Sequence, residues 1–136
     1  MNIALDLARA QNGLTADNPS VGCVIVKGGK IIGLGATAAG GRPHGEIVAL
    51  NSCTQDPAGA HVYVTLEPCS HVGRSGPCVD ALIKAGISRC HIAAIDPNPL
   101  VNGSGLAKLK AAGISVMTGD GEAEARAVMA DFFARH

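Results

Sequence analysis

Apolar positions along the chain alternate between the spacing of strands and the spacing of helices. Two apolar runs, 22–27 and 30–35, are separated by Gly28-Gly29, which predicts a hairpin. Further apolar and β-branched runs predict three more strands, at 61–66, 89–95 and 114–117. Segments with apolar residues at helical spacing predict helices over 2–12, 46–53, 78–85, 104–112 and 120–135.

After the initial hairpin, strands and helices alternate. This order is typical of an α/β protein in which helices cover both faces of a mixed sheet. We therefore expect a three-layer α/β/α sandwich with a mixed five-stranded sheet, formed by a single domain over residues 1–136. Asp120 is expected to cap the last helix, with Glu122 and Glu124 in its first turn.

The composition limits both the core and the partners. Of the residues, 47% are apolar but only 2% are aromatic, so Val, Ile, Leu and Ala are expected to form the core. The formal net charge is zero, no Lys/Arg run is present, and few aromatic rings exist on which bases could stack. These features disfavour a nucleic-acid partner and favour a small-molecule substrate.

Neither a membrane span nor a secretory leader is predicted. No apolar run approaches the roughly 18 residues that cross a bilayer, and residues 1–10 are charged and helical in pattern. Five cysteines are an odd number, so reduced thiols in a cytoplasmic protein are the expectation. Cys23, Cys53 and Cys90 lie within strand or helix patterns and are expected to be small core residues.

One histidine, two cysteines and a glutamate carry the strongest chemical signal. His44 stands at the start of a predicted helix, Cys69 follows a strand and a proline, and Cys78 begins another helix. Thiolate and imidazole ligands suit Zn²⁺, and three protein ligands leave a fourth position for water. His-x-Glu followed by Pro-Cys is part of the zinc deaminase signature. The competing interpretation, two structural thiols and an unrelated histidine, requires both motifs to be coincidences.

Glu46 is a candidate for proton transfer. It follows His44 by two residues, which is about 200° around a helix, so it does not stack beside that ligand. In a first helical turn it can still reach a water on the metal, whose pKa is lowered to roughly 7, and can accept and return a proton. The competing interpretation is a glutamate that only stabilises the helix dipole.

Two loops carry candidate substrate contacts. Asp96-Pro97-Asn98-Pro99 follows a strand end, where α/β sheets place ligands, although an ordinary proline turn explains the spacing equally well. His71 follows Cys69-Ser70 and either stacks on a flat ligand or lies at the surface.

Taken together, these motifs resemble the deaminase domain of bifunctional riboflavin-biosynthesis enzymes. That family, the diaminohydroxyphosphoribosylaminopyrimidine deaminases, belongs to the cytidine deaminase-like superfamily. The resemblance rests on Asn18-Pro19 and residues 21–26, 41–46, 65–71, 73–78 and 96–99. The long separation of Cys69 and Cys78 matches this family and distinguishes the chain from deaminases that carry Cys-x-x-Cys.

The resemblance implies Zn²⁺ on His44, Cys69 and Cys78, with Glu46 as the catalytic proton shuttle. It implies hydrolytic deamination of 2,5-diamino-6-ribosylamino-4(3H)-pyrimidinone 5′-phosphate in riboflavin biosynthesis. One alternative is a related zinc deaminase for a free base or nucleoside such as cytosine, cytidine or guanine. Another, outside the enzymes, is a structural zinc module that binds a partner.

The resemblance also implies a set of substrate contacts: Asn18, Gly45 through its backbone N–H, His71, Arg74, Asp96 and Asn98. A guanidinium such as that of Arg74 can pair with phosphate. The chain departs from the family in four places. Gly45 stands where Ala is more usual, Asp17 where Pro is, Thr37 where His is, and Ser104 where Lys or Arg is. The family's reductase domain is absent from this chain, and homo-oligomer formation is a further expectation.

Overall fold

A five-stranded sheet forms the centre of the computed structural model, which describes residues 1–70 and 77–136. The strands are β1, Gly22–Lys27; β2, Lys30–Ala36; β3, His61–Leu66; β4, Arg89–Ala94; and β5, Ser115–Thr118. Their spatial order is β2-β1-β3-β4-β5. Strand β1 is antiparallel to both of its neighbours, whereas β3, β4 and β5 run parallel. The predicted mixed sheet is therefore confirmed.

The hairpin between β1 and β2 is closed by two glycines, as predicted. Gly28 and Gly29 have φ angles of 58° and 77°, a left-handed conformation that glycine adopts without a steric penalty. Lys27 pairs with Lys30 across this two-residue turn.

Helices cover both faces of the sheet. They are α1, Asn2–Gln11; α2, Gly45–Asn51; α3, Cys78–Ala85; α4, Ser104–Ala111; α5, Glu122–Val128; and α6, Ala130–Ala134. A Cβ atom at Gly22 would meet the carbonyl oxygen of Ala4 in α1. A Cβ at Gly35 would instead meet the backbone of Ala49 in α2. Gly35 pairs with Cys23, and cross-strand partners face the same side of the sheet. Gly22 is next to Cys23 in β1 and faces the other side, so α1 and α2 pack on opposite faces. The three-layer prediction is confirmed.

The C-terminal helix differs from the prediction of one continuous helix over 120–135 with Asp120 as its cap. Helix α5 begins after Gly121, a left-handed residue with φ 79°, so the prediction for Asp120 is wrong. The helix is then interrupted at Met129, whose φ of −103° and ψ of 31° are not helical. Met129 is only 3% exposed and packs into the core, and the chain bends where this side chain enters.

The core is aliphatic, as the composition indicates. Val, Ile, Leu and Ala from both sides of the sheet make up most of it, and Met129 joins them. Cys23 and Cys90 are fully buried among these side chains, and Cys53 packs against them while partly exposed. Among the described residues, no helix is both long enough and apolar enough to cross a membrane.

Candidate active site

Three elements bring His44, Cys69 and Cys78 together. His44 precedes α2, and its carbonyl oxygen accepts hydrogen bonds from the N–H groups of Ile47 and Val48, each at 3.1 Å. Cys69 lies in the loop after β3, and Cys78 is the first residue of α3. The backbone N–H of Cys78 donates to the sulfur of Cys69 at 3.2 Å, which joins the beginning of α3 to the loop after β3.

The ligand atoms are spaced as a tetrahedral zinc ion requires. Nδ1 of His44 lies 3.8 Å from Sγ of Cys69 and 3.5 Å from Sγ of Cys78. All three atoms lie within 4.8 Å of one another. With Zn–S of about 2.3 Å and Zn–N of about 2.0–2.1 Å, a tetrahedral site separates nitrogen from sulfur by about 3.6 Å. These residues can therefore hold a zinc ion and supply three of its four ligands.

Hydrogen bonding shifts the pKa values of the two thiols in opposite directions. The Cys78 thiol, followed by the imidazole of His44 and the Cys78 N–H, lowers the pKa of Cys69 to about 4. The same contact with Cys69, reinforced by burial, raises the pKa of Cys78. The hydrogen bond with Cys69 raises the pKa of His44, although burial opposes it. A bound metal requires both thiols to be deprotonated, so the proton that Cys78 retains in the metal-free protein is released when metal binds.

Glu46 lies beside this set, in the first turn of α2. Its side chain is buried, with 4% of the residue exposed. Burial raises the pKa of the carboxyl to about 7, against the opposing effects of its own backbone N–H, the charge of His44 and the Cys78 thiol. A carboxyl group that exchanges its proton near neutral pH has the property that general acid–base catalysis requires.

A cavity of about 180 Å³ opens beside the ligands. The predicted site residues that line it are Asn18, His44, Glu46, Cys69, Asp96 and Asn98. Cys78 is 1% exposed and does not line the cavity, and neither does Gly45, which is buried at the start of α2. His71 and Arg74 lie outside the described residues, so their predicted contacts stay predictions.

Glu67 is a functional candidate that the sequence motifs do not identify. It is 3% exposed, lines the cavity, and accepts three backbone hydrogen bonds. Oε1 accepts from Asp96 at 3.1 Å and from Gly103 at 3.0 Å, and Oε2 accepts from Leu106 at 3.1 Å. This carboxylate therefore joins the end of β3 to the loop after β4 and to the first turn of α4. The only sequence signal is a charged residue between the buried strand and Pro68, because a buried charge requires partners.

The loop after β4 is both a local turn and part of the cavity wall. The N–H of Asn98 donates to Oδ1 of Asp96 at 2.8 Å, and the N–H of Leu100 donates to Oδ1 of Asn98 at 3.0 Å. These are the side chain-to-backbone bonds of Asx turns. The predicted turn at 96–99 is therefore present, and the predicted substrate contact of Asp96 and Asn98 stays a prediction.

Thr37 and Ser104, two of the residues that differ from the family pattern, form hydrogen bonds within the protein. Thr37 lines the cavity but is 1% exposed, and its hydroxyl accepts from the N–H of Val21 at 2.9 Å and donates to the carbonyl of Pro19 at 3.1 Å. The Ser104 hydroxyl contacts that of Ser70 and the carbonyl of Val101. Neither side chain supplies a charge to the cavity.

A His-Cys-Cys set beside a buried carboxylate, at one edge of a mixed sheet covered by helices, defines a zinc-dependent hydrolytic deaminase. Residues 1–94 match the sequence pattern of the cytidine and deoxycytidylate deaminase zinc-binding region, and all three candidate ligands lie within that span. The chain belongs to this family.

Two relatives align with nearly the whole of this chain. The diaminohydroxyphosphoribosylamino-pyrimidine deaminase of Buchnera aphidicola is 45% identical over 135 residues, covering 99% of this chain and 92% of the relative. Riboflavin biosynthesis protein RibD of Aquifex aeolicus is 51% identical over 133 residues, covering 98% of this chain but 37% of the relative. The resemblance to riboflavin-biosynthesis deaminases is thereby confirmed.

A solved structure supports the same conclusion for the fold. RibD of Acinetobacter baumannii superposes with a TM-score of 0.91 at 45% identity, covering 98% of this chain and 38% of that chain. The predicted cytidine deaminase-like fold is confirmed. The chain spans little more than a third of the length of these RibD proteins.

Proposed function

We propose that this chain, as a single domain over residues 1–136, hydrolytically deaminates 2,5-diamino-6-ribosylamino-4(3H)-pyrimidinone 5′-phosphate in riboflavin biosynthesis. The observation that carries the proposal is the position of Glu46. Its buried carboxyl, with a pKa raised by burial to about 7, lies beside a zinc-type ligand set and lines a cavity of about 180 Å³. Relatives named for this pathway, 45% and 51% identical, support the choice of substrate.

We assign the metal to His44, Cys69 and Cys78. Their two sulfurs and one nitrogen match the soft ligand set that zinc prefers, with spacings that fit a tetrahedral ion. When bound there, zinc supplies a Lewis acid that makes water a nucleophile at neutral pH.

Glu46 moves the protons of the reaction. Its carboxylate accepts a proton from the attacking water as the water oxygen bonds to the ring carbon that carries the amino group. The carboxyl returns this proton to the ring nitrogen. Glu46 then carries the second proton of that oxygen to the amino group, the C–N bond breaks, and ammonia leaves. One water is consumed, one ammonia is released, and Glu46 ends in its starting state.

The remaining cavity residues recognise the substrate. Asn18, Asp96 and Asn98 line the cavity and supply amide and carboxylate groups that bond to ring substituents or to ribose hydroxyls. The backbone N–H of Gly45, beside His44, orients the ring. His71 and Arg74 belong to the loop between the two cysteine ligands, and we assign them to stacking and to phosphate.

The substrate is a small molecule, and neither nucleic acid nor a membrane is a proposed partner. Five free cysteines and zero net charge favour a cytoplasmic protein with reduced thiols. Light scattering of the purified chain tests the further expectation of a homo-oligomer, because a monomer mass over the working concentration range would contradict it.

The decisive experiment measures ammonia release by the zinc-loaded enzyme from the phosphorylated pyrimidine, cytosine, cytidine and guanine. Turnover of the phosphorylated pyrimidine above the others is expected. Glu46→Gln should keep zinc and lose turnover by at least about 100-fold, as for removal of a general acid–base group. Glu124→Gln, at an exposed position in α5, is the matched control and should act like the wild type.

Each alternative has its own outcome. Turnover of cytidine or guanine but not of the phosphorylated pyrimidine would support a base or nucleoside deaminase. Zinc binding without turnover of any compound would support a structural module. An active Glu46→Gln variant would contradict the role assigned to that carboxyl.

A further inference from the structure

Acidic side chains outnumber basic ones among the described residues that line the cavity. Three acidic side chains reach its wall, those of Glu46, Glu67 and Asp96. Among the described lining residues, Arg42 is the sole Lys or Arg. An anionic group that enters a space bordered by carboxylates is repelled unless a cation lies close by. Arg42 is the described side chain that can supply this cation.

The guanidinium of Arg42 forms no ion pair with another described residue. Ion pairs within the described ranges engage Arg9, Lys108 and Arg126, but none engages Arg42. No hydrogen bond joins the Arg42 side chain to another described residue, and the residue is exposed. A guanidinium has five N–H donors and binds phosphate through two parallel hydrogen bonds, so Arg42 is suited to an oxyanion at the mouth of the cavity.

The backbone on both sides of Arg42 is held in place. The carbonyl oxygen of Gly41 accepts from Nδ2 of Asn18 at 3.0 Å, and that of Pro43 accepts from the N–H of Ala38 at 3.0 Å. A Cβ at Gly41 would lie 2.3 Å from Nδ2 of Asn18, so the loop packs closely against this cavity residue. Because the backbone is already ordered, binding through Arg42 costs the entropy of one side chain rather than of a loop.

Arg42 and Glu46 line the same cavity but differ in their exposure to solvent. Arg42 precedes the candidate zinc ligand His44 by two residues and is exposed, whereas Glu46 at the reacting end is buried. A pyrimidine ring beside Glu46 therefore directs its ribosyl chain outward, where the phosphate stays in contact with water and with Arg42. Thr37 cannot take this role because its hydroxyl is engaged by Val21 and Pro19.

We propose that Arg42 is a specificity-determining residue that binds the 5′-phosphate of the substrate and so selects phosphorylated over unphosphorylated pyrimidine ribosides. The proposal rests on the proposed function for the identity of the anion. It stands on Arg42 alone, whether or not Arg74 also contacts the phosphate.

The test compares the phosphorylated pyrimidine with its dephosphorylated riboside for the wild type, Arg42→Ala, Arg42→Lys and Arg9→Ala. Arg42→Ala should lower kcat/KM for the phosphorylated compound by about 10- to 100-fold, mainly by raising KM. This fold-change corresponds to the loss of one hydrogen-bonded charge pair. Its kcat/KM for the riboside should change less than about twofold, and its zinc content should not change. Arg42→Lys should recover part of the loss, because it restores the charge but not the paired hydrogen bonds.

Arg9→Ala is the matched control, since Arg9 is exposed on α1 and pairs with Asp6. It should act like the wild type on both compounds. An equal loss on both compounds for Arg42→Ala, or no loss on either, would overturn the proposal. A structural role for Arg42 would not alter the ratio between the two substrates.

Binding of ribose 5-phosphate and of ribose, measured by calorimetry, separates this proposal from the proposed function. The wild type should bind ribose 5-phosphate at least about tenfold more tightly than ribose, and Arg42→Ala should reduce that preference by at least about threefold. A preference unchanged in Arg42→Ala, or absent from the wild type, would overturn the role of Arg42. Failure of the wild type to turn over the phosphorylated pyrimidine would overturn the proposed function, and this binding result would still decide the role of Arg42.

Discussion

The backbone N–H of Asp96 donates a hydrogen bond of 3.1 Å to Oε1 of Glu67. Through this contact, the strand that leads to the cysteine ligand Cys69 is tied to the loop that carries Asp96 and Asn98. The same carboxylate accepts from Gly103 and Leu106, so one buried charge organises three backbone segments around the cavity. Such a group is costly to disturb, because its removal leaves buried donors without partners.

Replacement of this carboxylate should destabilise the fold without removing zinc. In Glu67→Gln, the amide presents an NH₂ group to one of the N–H donors, and a charge-assisted bond becomes a clash of donors. We expect the free energy of unfolding to fall by about 2–3 kcal/mol in urea titrations of the zinc-loaded protein. The matched control is Glu124→Gln, an exposed change that should stay within about 0.5 kcal/mol. Equal stability of Glu67→Gln and the control would contradict this role.

A methyl group at Gly105 should disturb the same junction from the other side. A Cβ there would lie 2.1 Å from the carbonyl oxygen of Pro68 and 3.2 Å from the Glu67 carboxylate, so α4 must shift away. We expect Gly105→Ala to lower stability by about 1–3 kcal/mol despite the better helix propensity of alanine. Thermal unfolding measures the change, and Lys110→Ala, exposed on the same helix, is the control. A Gly105→Ala protein as stable as wild type would show that α4 is not closely packed.

The stability of the metal-free protein should depend on pH through Glu46. Burial raises the pKa of this carboxyl from 4.5 to about 7, so the folded state binds the proton more tightly than the unfolded state. The stabilisation is complete below about pH 4.5 and is lost as pH rises through about 7, by up to about 3 kcal/mol. Urea unfolding with chelator at several pH values should show this fall in the wild type and a flatter profile in Glu46→Gln. Parallel profiles would mean that the carboxyl is not buried as described.

Loss of a ligand should release the metal. Cys78→Ser should weaken zinc binding by more than about 100-fold. Mutation of a residue that only hydrogen-bonds to a metal ligand already lowers metal affinity by about 10- to 100-fold, and loss of a ligand should cost more. Competition with a chromophoric chelator measures the affinity. Cys53→Ser, which changes a partly exposed thiol outside the ligand set, should bind zinc like the wild type. Equal zinc affinity of the two variants would exclude Cys78 as a ligand.

Local sequence signals anticipated most of the fold. Gly28-Gly29 adopts without penalty the positive φ angles that a two-residue hairpin turn requires, so the hairpin follows from two neighbouring residues. The bounds of β3 and α3 likewise match their predicted ranges, 61–66 and 78–85. The predicted continuous helix over 120–135 is wrong at two places. Met129 enters the core and interrupts the last helix, and Gly121 rather than Asp120 precedes α5. Neither the cap at Gly121 nor the interruption at Met129 changes the apolar periodicity on which the helix prediction rests.

By itself, the sequence determined the chemistry of the site, because ligand type is a property of single residues. His44, Cys69 and Cys78 are ligand types that suit zinc, and the sequence predicts Glu46 as the proton carrier because it follows His44 by two residues. Only the tertiary structure showed which further side chains line the cavity and how each of them is engaged. Glu67 and Arg42 come to the cavity from segments far apart in the chain, and Thr37 faces it with its hydroxyl already engaged. Burial and hydrogen-bond partners depend on long-range packing, which residue spacing does not encode.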